Sequence, residues 1–324
     1  MNPFEYVNPS NLEDVPGLLG RKRGRQSVVI AGGVDLLGEL KDNLVAPKRL
    51  VNLKALPLKY IRHGKDGVSI GATTTLTEIV SDAKIASEYP ALAQAAESVG
   101  SLQIRNVGTI GGNLCQRPRC WYYRNEEFDC LKKGGARCFA VDGNNKYNAI
   151  IGGGPSYIVH PSDLAPALIA LEAQVTVWGS KGKRNLPLES FYVLPSERLL
   201  QETVLQADEV LTEVFVPKPQ ANTRSVYLKF NERGSMDFAL SAVAAVVRLE
   251  GGVCKQARVV LGGVAPKPWR SEPAEKALVG QQMTDAVLAR AAEEALAEAE
   301  PLEHNAYKVP LTKALIQRAV KAIV

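Results

Sequence analysis

Ser27-Val28-Val29-Ile30-Ala31-Gly32-Gly33-Val34-Asp35-Leu36 reads as three pieces in succession. The β-branched Val28, Val29 and Ile30 favour a strand. The paired glycines end it, and Leu36–Lys41 then reads as a helix. A strand running through glycines into a helix is a building unit of α/β layers. Its turn presents backbone N–H groups, and the helix start adds partial positive charge, so the unit suits an anion such as a pyrophosphate. The stretch is neither G-x-G-x-x-G nor a Walker loop. Taken alone it reads first as a tight β–α turn.

Working outward, Arg49–Asn52 and Val68–Ala72 are further strand signals. Thr73-Thr74-Thr75 offers N-cap hydroxyls to a helix from Leu76, and Tyr89–Val99 reads as an Ala-rich helix. A second glycine-rich loop follows, Arg105-Asn106-Val107-Gly108-Thr109-Ile110-Gly111-Gly112-Asn113. Its hydroxyl and amide suit phosphate and ribityl oxygens. Two such loops in one domain suggest one extended dinucleotide lying across both. Gly100–Gly154 has little periodicity and reads as irregular backbone. Regular structure resumes with Ala165–Leu171 (helix), Gln174–Trp178 and Val210–Val216 (strands). Pro217–Asn222 is the domain boundary candidate. Beyond it lie strands Ser225–Phe230, Ala239–Glu250 and Ala257–Val264, then amphipathic helices Thr284–Ala299 and Leu311–Ile323.

A chain of 324 residues suggests two domains. With 46% hydrophobic and 23% charged residues it has apolar mass for a core, which excludes a disordered or fibrous class. Its net charge of +5 is small for a nucleic-acid binder. The run Arg21-Lys22-Arg23-Gly24-Arg25 has no aromatic neighbours for base stacking and reads as a solvated loop. No run approaches the ~18 apolar residues of a spanning helix. The start, MNPFEYVNPS, has no basic or apolar leader. The expected location is cytoplasmic, or periplasmic only by co-export with a partner.

Four of the five cysteines fall between Cys115 and Cys138. In a cytoplasmic chain such a cluster is more often a metal site than a disulfide framework. The spacing Cys115-x4-Cys120-x9-Cys130-x7-Cys138 is wider and less even than a structural zinc site, and suits an iron–sulfur cubane. Zinc and plain reduced thiols are the alternatives. Trp121, Tyr122, Tyr123, Phe128 and Phe139 would shield a cluster, and Arg117, Arg119, Arg124, Lys132, Lys133 and Arg137 would offset its charge. Cys254 reads as a buried small hydrophobe. His63, His160 and His304 form no metal pattern, and His160 reads as structural.

AGGVDLL, IRNVGTIGGN, HPSDLAPAL and YLKFNERGSMDFALSAV occur in that order along the chain. Together they resemble the FAD-binding medium subunit of the xanthine dehydrogenase family of molybdenum hydroxylases. The cysteine-rich insert resembles the branch that includes the 4-hydroxybenzoyl-CoA reductase and periplasmic aldehyde oxidoreductase flavin subunits, where a [4Fe-4S] cluster is added. The resemblance implies an α+β fold: a p-cresol-methylhydroxylase-type FAD-binding domain of two α/β subdomains over 1–218, with the insert at 114–156. A C-terminal domain like that of the CO dehydrogenase flavoprotein, a three-stranded sheet with helices, would occupy 222–324. It implies that Val29, Ile30, Ala31, Gly32, Gly33, Val34, Asp35 and Leu36 hold the pyrophosphate. Thr109, Ile110, Gly111, Gly112 and Asn113 would hold phosphate and ribityl, with Asp163, Leu211 and Lys229 as further FAD contacts. A cation at Lys229 suits a reduced anionic flavin. Val34 stands where the family often has a polar residue. Cluster ligands would be Cys120, Cys130, Cys138 and a fourth at Ser156, where that branch has cysteine; Cys115 is the alternative.

The implied function is electron transfer through FAD between [2Fe-2S] clusters of a small subunit and an external acceptor. Substrate would react at a molybdenum cofactor on a large subunit, in a heterotrimer or a dimer of heterotrimers. No nucleophile or general-base pair is evident on this chain. Two other readings remain from the residues: a non-catalytic iron–sulfur or zinc scaffold, and a free-standing flavin oxidase.

Overall fold

A computed structural model describes residues 1–20, 26–234 and 236–324. The basic run Arg21–Arg25 lies outside the described residues. Three sheets organise the chain. The first is a parallel sheet of β1 (Glu5–Val7), β2 (Ser27–Ile30) and β3 (Arg49–Asn52) in the order β1-β3-β2. Parallel neighbours need crossovers. The segment after β2, with the helix Leu36–Lys41, supplies one of them.

The second sheet contains β4 (Ile61–His63), β5 (Gly67–Gly71), β6 (Gln174–Gly179), β7 (Gly182–Pro187) and β8 (Val210–Pro217). It is antiparallel throughout, in the order β4-β5-β8-β6-β7. Helices Leu76–Ser81, Pro90–Glu97 and Leu164–Ala170 bury Ile79, Leu92 and Leu168 in the same core as Val214. Thr75 starts the first of these helices through a capping box with Glu78.

The third sheet has β9 (Thr223–Phe230), β10 (Ser241–Glu250), β11 (Val253–Gly262) and β12 (Trp269–Arg270) in the order β12-β11-β10-β9. The two-residue β12 makes it four-stranded, which corrects the expectation of three strands. Such a short edge strand, Trp269-Arg270 directly after Pro268, carries no period-2 signal. In β10, Ala242 and Ala244 face the core of the second sheet, while Val243, Ala245 and Val247 face the helices Asp285–Ala295 and Lys308–Lys321. Both faces are buried, which is why this strand reads as an unbroken apolar run. Among the described residues no helix is long and apolar enough to cross a membrane.

Gly100–Gly154, expected to be irregular, contains short helices Leu102–Val107, Ile110–Leu114 and Trp121–Arg124. Ser101 and Thr109 cap the first two through their side chains. From Asn125 to Gly154 a single 3-10 turn, Leu131–Lys133, and an isolated bridge between Cys130 and Arg137 interrupt the coil.

Candidate dinucleotide site

The two glycine turns meet. A Cβ built on Gly32 would stand 2.2 Å from the Val107 carbonyl oxygen and 3.1 Å from the Gly108 Cα. Only a glycine lets the first turn lie on the second this closely. Gly33 has φ +74°, and its carbonyl accepts the Leu37 N–H that opens the following helix. On the other side, a Cβ on Gly111 would stand 2.8 Å from the Ala72 carbonyl oxygen, and the Gly111 N–H donates to that same oxygen at 2.9 Å. The three segments after β2, after β5 and before Ile110 thus form one continuous floor.

This floor bounds a cavity of about 830 Å³, within the range of cofactor sites. Val29 through Leu36, Thr109, Gly111, Gly112, Asn113, Asp163, Leu211 and Lys229 all line it. Ile110 does not. It is fully buried in the core beneath, and its N–H donates to Thr74. Helical periodicity decides this: Ile110 opens a short helix whose glycines face the cavity, so its side chain points the other way.

Several polar groups around the cavity already have partners. The Thr109 hydroxyl accepts the Gly112 N–H at 3.1 Å, and Asn113 Oδ1 accepts from Ser162 Oγ at 2.5 Å. Lys229 Nζ donates to Asp163 Oδ2 at 2.8 Å and to the Ser98 carbonyl at 3.0 Å. Tyr227 donates to Asp163 Oδ1 at 2.7 Å. Burial pushes the Asp163 carboxyl up against the opposing pull of Lys229 and Tyr227. Lys229 therefore faces the cavity as half of a buried ion pair and not as a lone cation. Thr73 Oγ1 and Arg119 Nε are buried with no hydrogen-bond partner among the described residues, and both residues line the cavity. Glycine turns that admit no Cβ, and polar atoms left for a ligand, fit a dinucleotide.

Sequence reasoning passed over Thr73, Arg119 and Glu202 as cavity residues. The triple threonine was noticed only as a cap. Thr75 does cap, Thr74 Oγ1 pairs with Tyr60, and Thr73 is left for the cavity.

The cysteine segment lies beside this site. Cys115 lines the cavity; Cys120, Cys130, Cys138 and Ser156 do not. Cys120 Sγ accepts from Asn148 Nδ2 at 3.6 Å and from the backbone N–H groups of Tyr122 and Tyr123. Burial pushes its thiol up, and Cys138 adds to that. Cys130 and Ser156 are buried. Among the described residues no three His, Cys, Asp or Glu side chains converge as metal ligands. As arranged, the trio does not fit a cluster.

Tyr122, Phe128 and Phe139 pack edge-on or stacked with one another, whereas Trp121 is 55% exposed against Tyr147. The basic residues expected to offset a cluster are committed elsewhere: Arg119 and Arg124 pair with Asp35, Arg117 and Lys132 with Glu202. Lys133 Nζ donates to the Asn125 carbonyl, and Arg137 stacks over Phe139. His160 is buried edge-on to Tyr192, and burial holds its imidazole down at about 3, so it is neutral and structural. Cys254 is fully buried, as a small hydrophobe would be.

A glycine-floored cavity, lined also by Lys229 of β9 and by Asp237 and Phe238 just after it, suits a nucleotide cofactor. Comparison with known proteins makes this specific. Residues 2–219 match the FAD binding domain in molybdopterin dehydrogenase, and residues 226–323 match the CO dehydrogenase flavoprotein C-terminal domain. The chain belongs to the family of FAD-binding medium subunits of CO and xanthine dehydrogenases. It is 35% identical to the aldehyde oxidoreductase FAD-binding subunit PaoB of Escherichia coli over 288 residues, 88% of this chain and 87% of that one. It is 31% identical to the nicotinate dehydrogenase FAD-subunit of Eubacterium barkeri over 88% of this chain and 82% of that one. Among solved structures, carbon monoxide dehydrogenase from Hydrogenophaga pseudoflava superposes with a TM-score of 0.78 at 28% identity, covering 99% of this chain and 97% of that one.

Proposed function

We propose that this chain is the flavin subunit of a multi-subunit molybdenum-dependent dehydrogenase, passing electrons between [2Fe-2S] clusters of a small partner subunit and an external acceptor. A large partner subunit would carry the molybdenum cofactor and the substrate. The observation that carries the reading is the backbone contact of the Gly32 and Val107–Gly108 turns along one cavity. Bound FAD supplies the exchange between two-electron and one-electron chemistry. The chain supplies the rest. The N–H groups of the Gly32–Gly33 turn are the donors for the diphosphate, while the Gly111 and Gly112 N–H groups, held by the Ala72 carbonyl and the Thr109 hydroxyl, fix the shape of the second turn. The Asp163–Lys229 pair sets a fixed dipole at the cavity wall, and Leu211 and the apolar strands around it exclude water. The Val29–Leu36 contacts (at Asp35 through the backbone alone) and those of Thr109, Gly111–Asn113, Asp163, Leu211 and Lys229 are part of this proposal.

A finer part concerns the cysteine loop. Cys120, Cys130 and Cys138, with Ser156 or Cys115, would hold a [4Fe-4S] cluster only if the loop closes beyond the arrangement seen. What supports it is the Cys120 thiol, which already collects the N–H donors typical of a cluster ligand. No electron step is assigned to it.

The test is the full chain co-expressed with its neighbouring subunits. One FAD per chain released on denaturation, with reduction only when the partner subunits are present, supports the reading. A colourless protein sinks it, and turnover by the isolated chain would mark a free-standing oxidase. About four irons and four acid-labile sulfides beyond those of the partner would establish the cluster. Fewer than about one would remove it.

A further inference from the structure

We propose that the Asp35 carboxylate is a junction and not a ligand contact: through it, Arg124 and Arg119 of the cysteine loop position the Gly32–Gly33 turn. The inference rests on the flavin reading above. Asp35 Oδ1 takes Arg124 Nη2 at 2.6 Å and Arg119 Nη2 at 3.0 Å, while Oδ2 takes the Arg117 N–H at 2.7 Å. Three donors from residues 117–124 thus turn this carboxylate toward the cysteine loop. Asp35 lies two residues after Gly33 and immediately before the helix Leu36–Lys41.

A second anchor lies four residues on, on the same face of that helix. Glu39 Oε1 accepts from Tyr123 OH at 2.8 Å, and the Tyr123 oxygen accepts from Arg117 Nε at 3.0 Å. Arg117 in turn pairs with Glu202 at 2.8 Å, and Lys132 with the other Glu202 oxygen at 2.9 Å. The Asp35 and Arg124 side chains are 18% and 15% exposed, and Glu39 and Tyr123 are buried, so these charge-assisted bonds are shielded from water. Two anchors on one short helix fix both its position and its rotation. The N–H groups of the glycine turn move with it. Arg124 also donates to the Pro118 and Arg117 carbonyls, so its guanidinium holds the loop's own shape while it holds Asp35.

The experiment uses the full chain with Arg124→Gln, Asp35→Asn and the double variant. Each single change should weaken FAD binding, read by flavin fluorescence quenching, by roughly fivefold or more. The double variant should be no worse than about twofold beyond the weaker single, because both remove one link. In the apoprotein, hydrogen exchange should quicken across residues 30–41 in Arg124→Gln and across residues 117–124 in Asp35→Asn. Losses that multiply, FAD affinity within about twofold of the parent, or exchange changes confined to the mutated segment would overturn the junction. If Arg124→Gln does not fold, Arg119→Met removes one arm and should weaken FAD about twofold or more, with the same exchange signature. A parent chain that holds no FAD sinks the flavin reading instead, and the exchange arm still decides the junction.

Discussion

His160 shows how one buried residue ties stability to pH. Its imidazole stands edge-on to Tyr192, and Nδ1 accepts the Ser162 N–H at 3.4 Å. Burial lowers it from an ordinary 6.5 to about 3. Between those two values the unfolded chain binds a proton that the native chain does not. Stability from this residue is therefore complete above pH 6.5 and falls as pH drops toward 3. Replacing His160 with Phe keeps the ring and removes the titration. Chemical denaturation at pH 6.5 and 4.5 should show the parent losing about 2 kcal/mol more than His160→Phe. Equal losses would mean that the imidazole is hydrated in solution. Much at this scale was legible in sequence. His160 was read as structural because no other histidine could complete a metal set. Lys229 was not read correctly in full: nothing in a linear chain shows that Asp163, 66 residues away, neutralises it.

The glycine turns belong to the scale of elements. The Gly32 Cβ position meets a backbone carbonyl, which cannot step aside as a flexible side chain can. Gly38, six residues on in the helix Leu36–Lys41, has nothing within 4 Å. Gly32→Ala should therefore push the two turns apart, lower stability by about 1–3 kcal/mol and leave purified protein depleted of flavin. Gly38→Ala should retain full flavin and gain up to about 1 kcal/mol from helix propensity. Flavin-to-protein absorbance ratios and thermal melts of the two variants decide this. Equal behaviour would show that the close approach is not present in solution. The turns, and the strand and helix around each, were readable because glycine, β-branched and capping residues act locally. That the turns touch was an inference from there being two. The cysteine segment was less readable, since spacing alone does not tell ligands from thiols that never meet.

At the scale of the whole molecule, the C-terminal helix holds the irregular segment in place. Lys308 is 1% exposed, and its ammonium donates to the carbonyls of Tyr147, Asn148 and Gly263 at 2.9, 3.1 and 2.8 Å. Asn305 adds bonds to Asn148 and Ala149, each at 3.2 Å. One side chain thus staples the end of the cysteine segment to the turn after β11. Lys308→Met keeps the length of the side chain but leaves those carbonyls without their donor. The expected loss is about 3 kcal/mol, the order of a few unsatisfied buried polar groups, and should appear in denaturant titration of the full chain. A loss below about 0.5 kcal/mol would show that other donors or water replace it.

The sequence alone determined what depends on neighbours in the chain. It set the strand–glycine–helix units, the capping hydroxyls at Thr73–Thr75, the break at Pro217–Asn222 and the strand at β10. Residue propensity, backbone freedom and side-chain period act over a few residues, so those features are written locally. Tertiary structure decided what depends on distance through space. It stacked Gly32 on Val107, turned Ile110 into the core, joined Lys229 to Asp163, and assigned the basic residues of the cysteine loop to Asp35, Glu39 and Glu202. Burial and Coulomb energy act between whichever groups folding brings together, and no local pattern records those meetings.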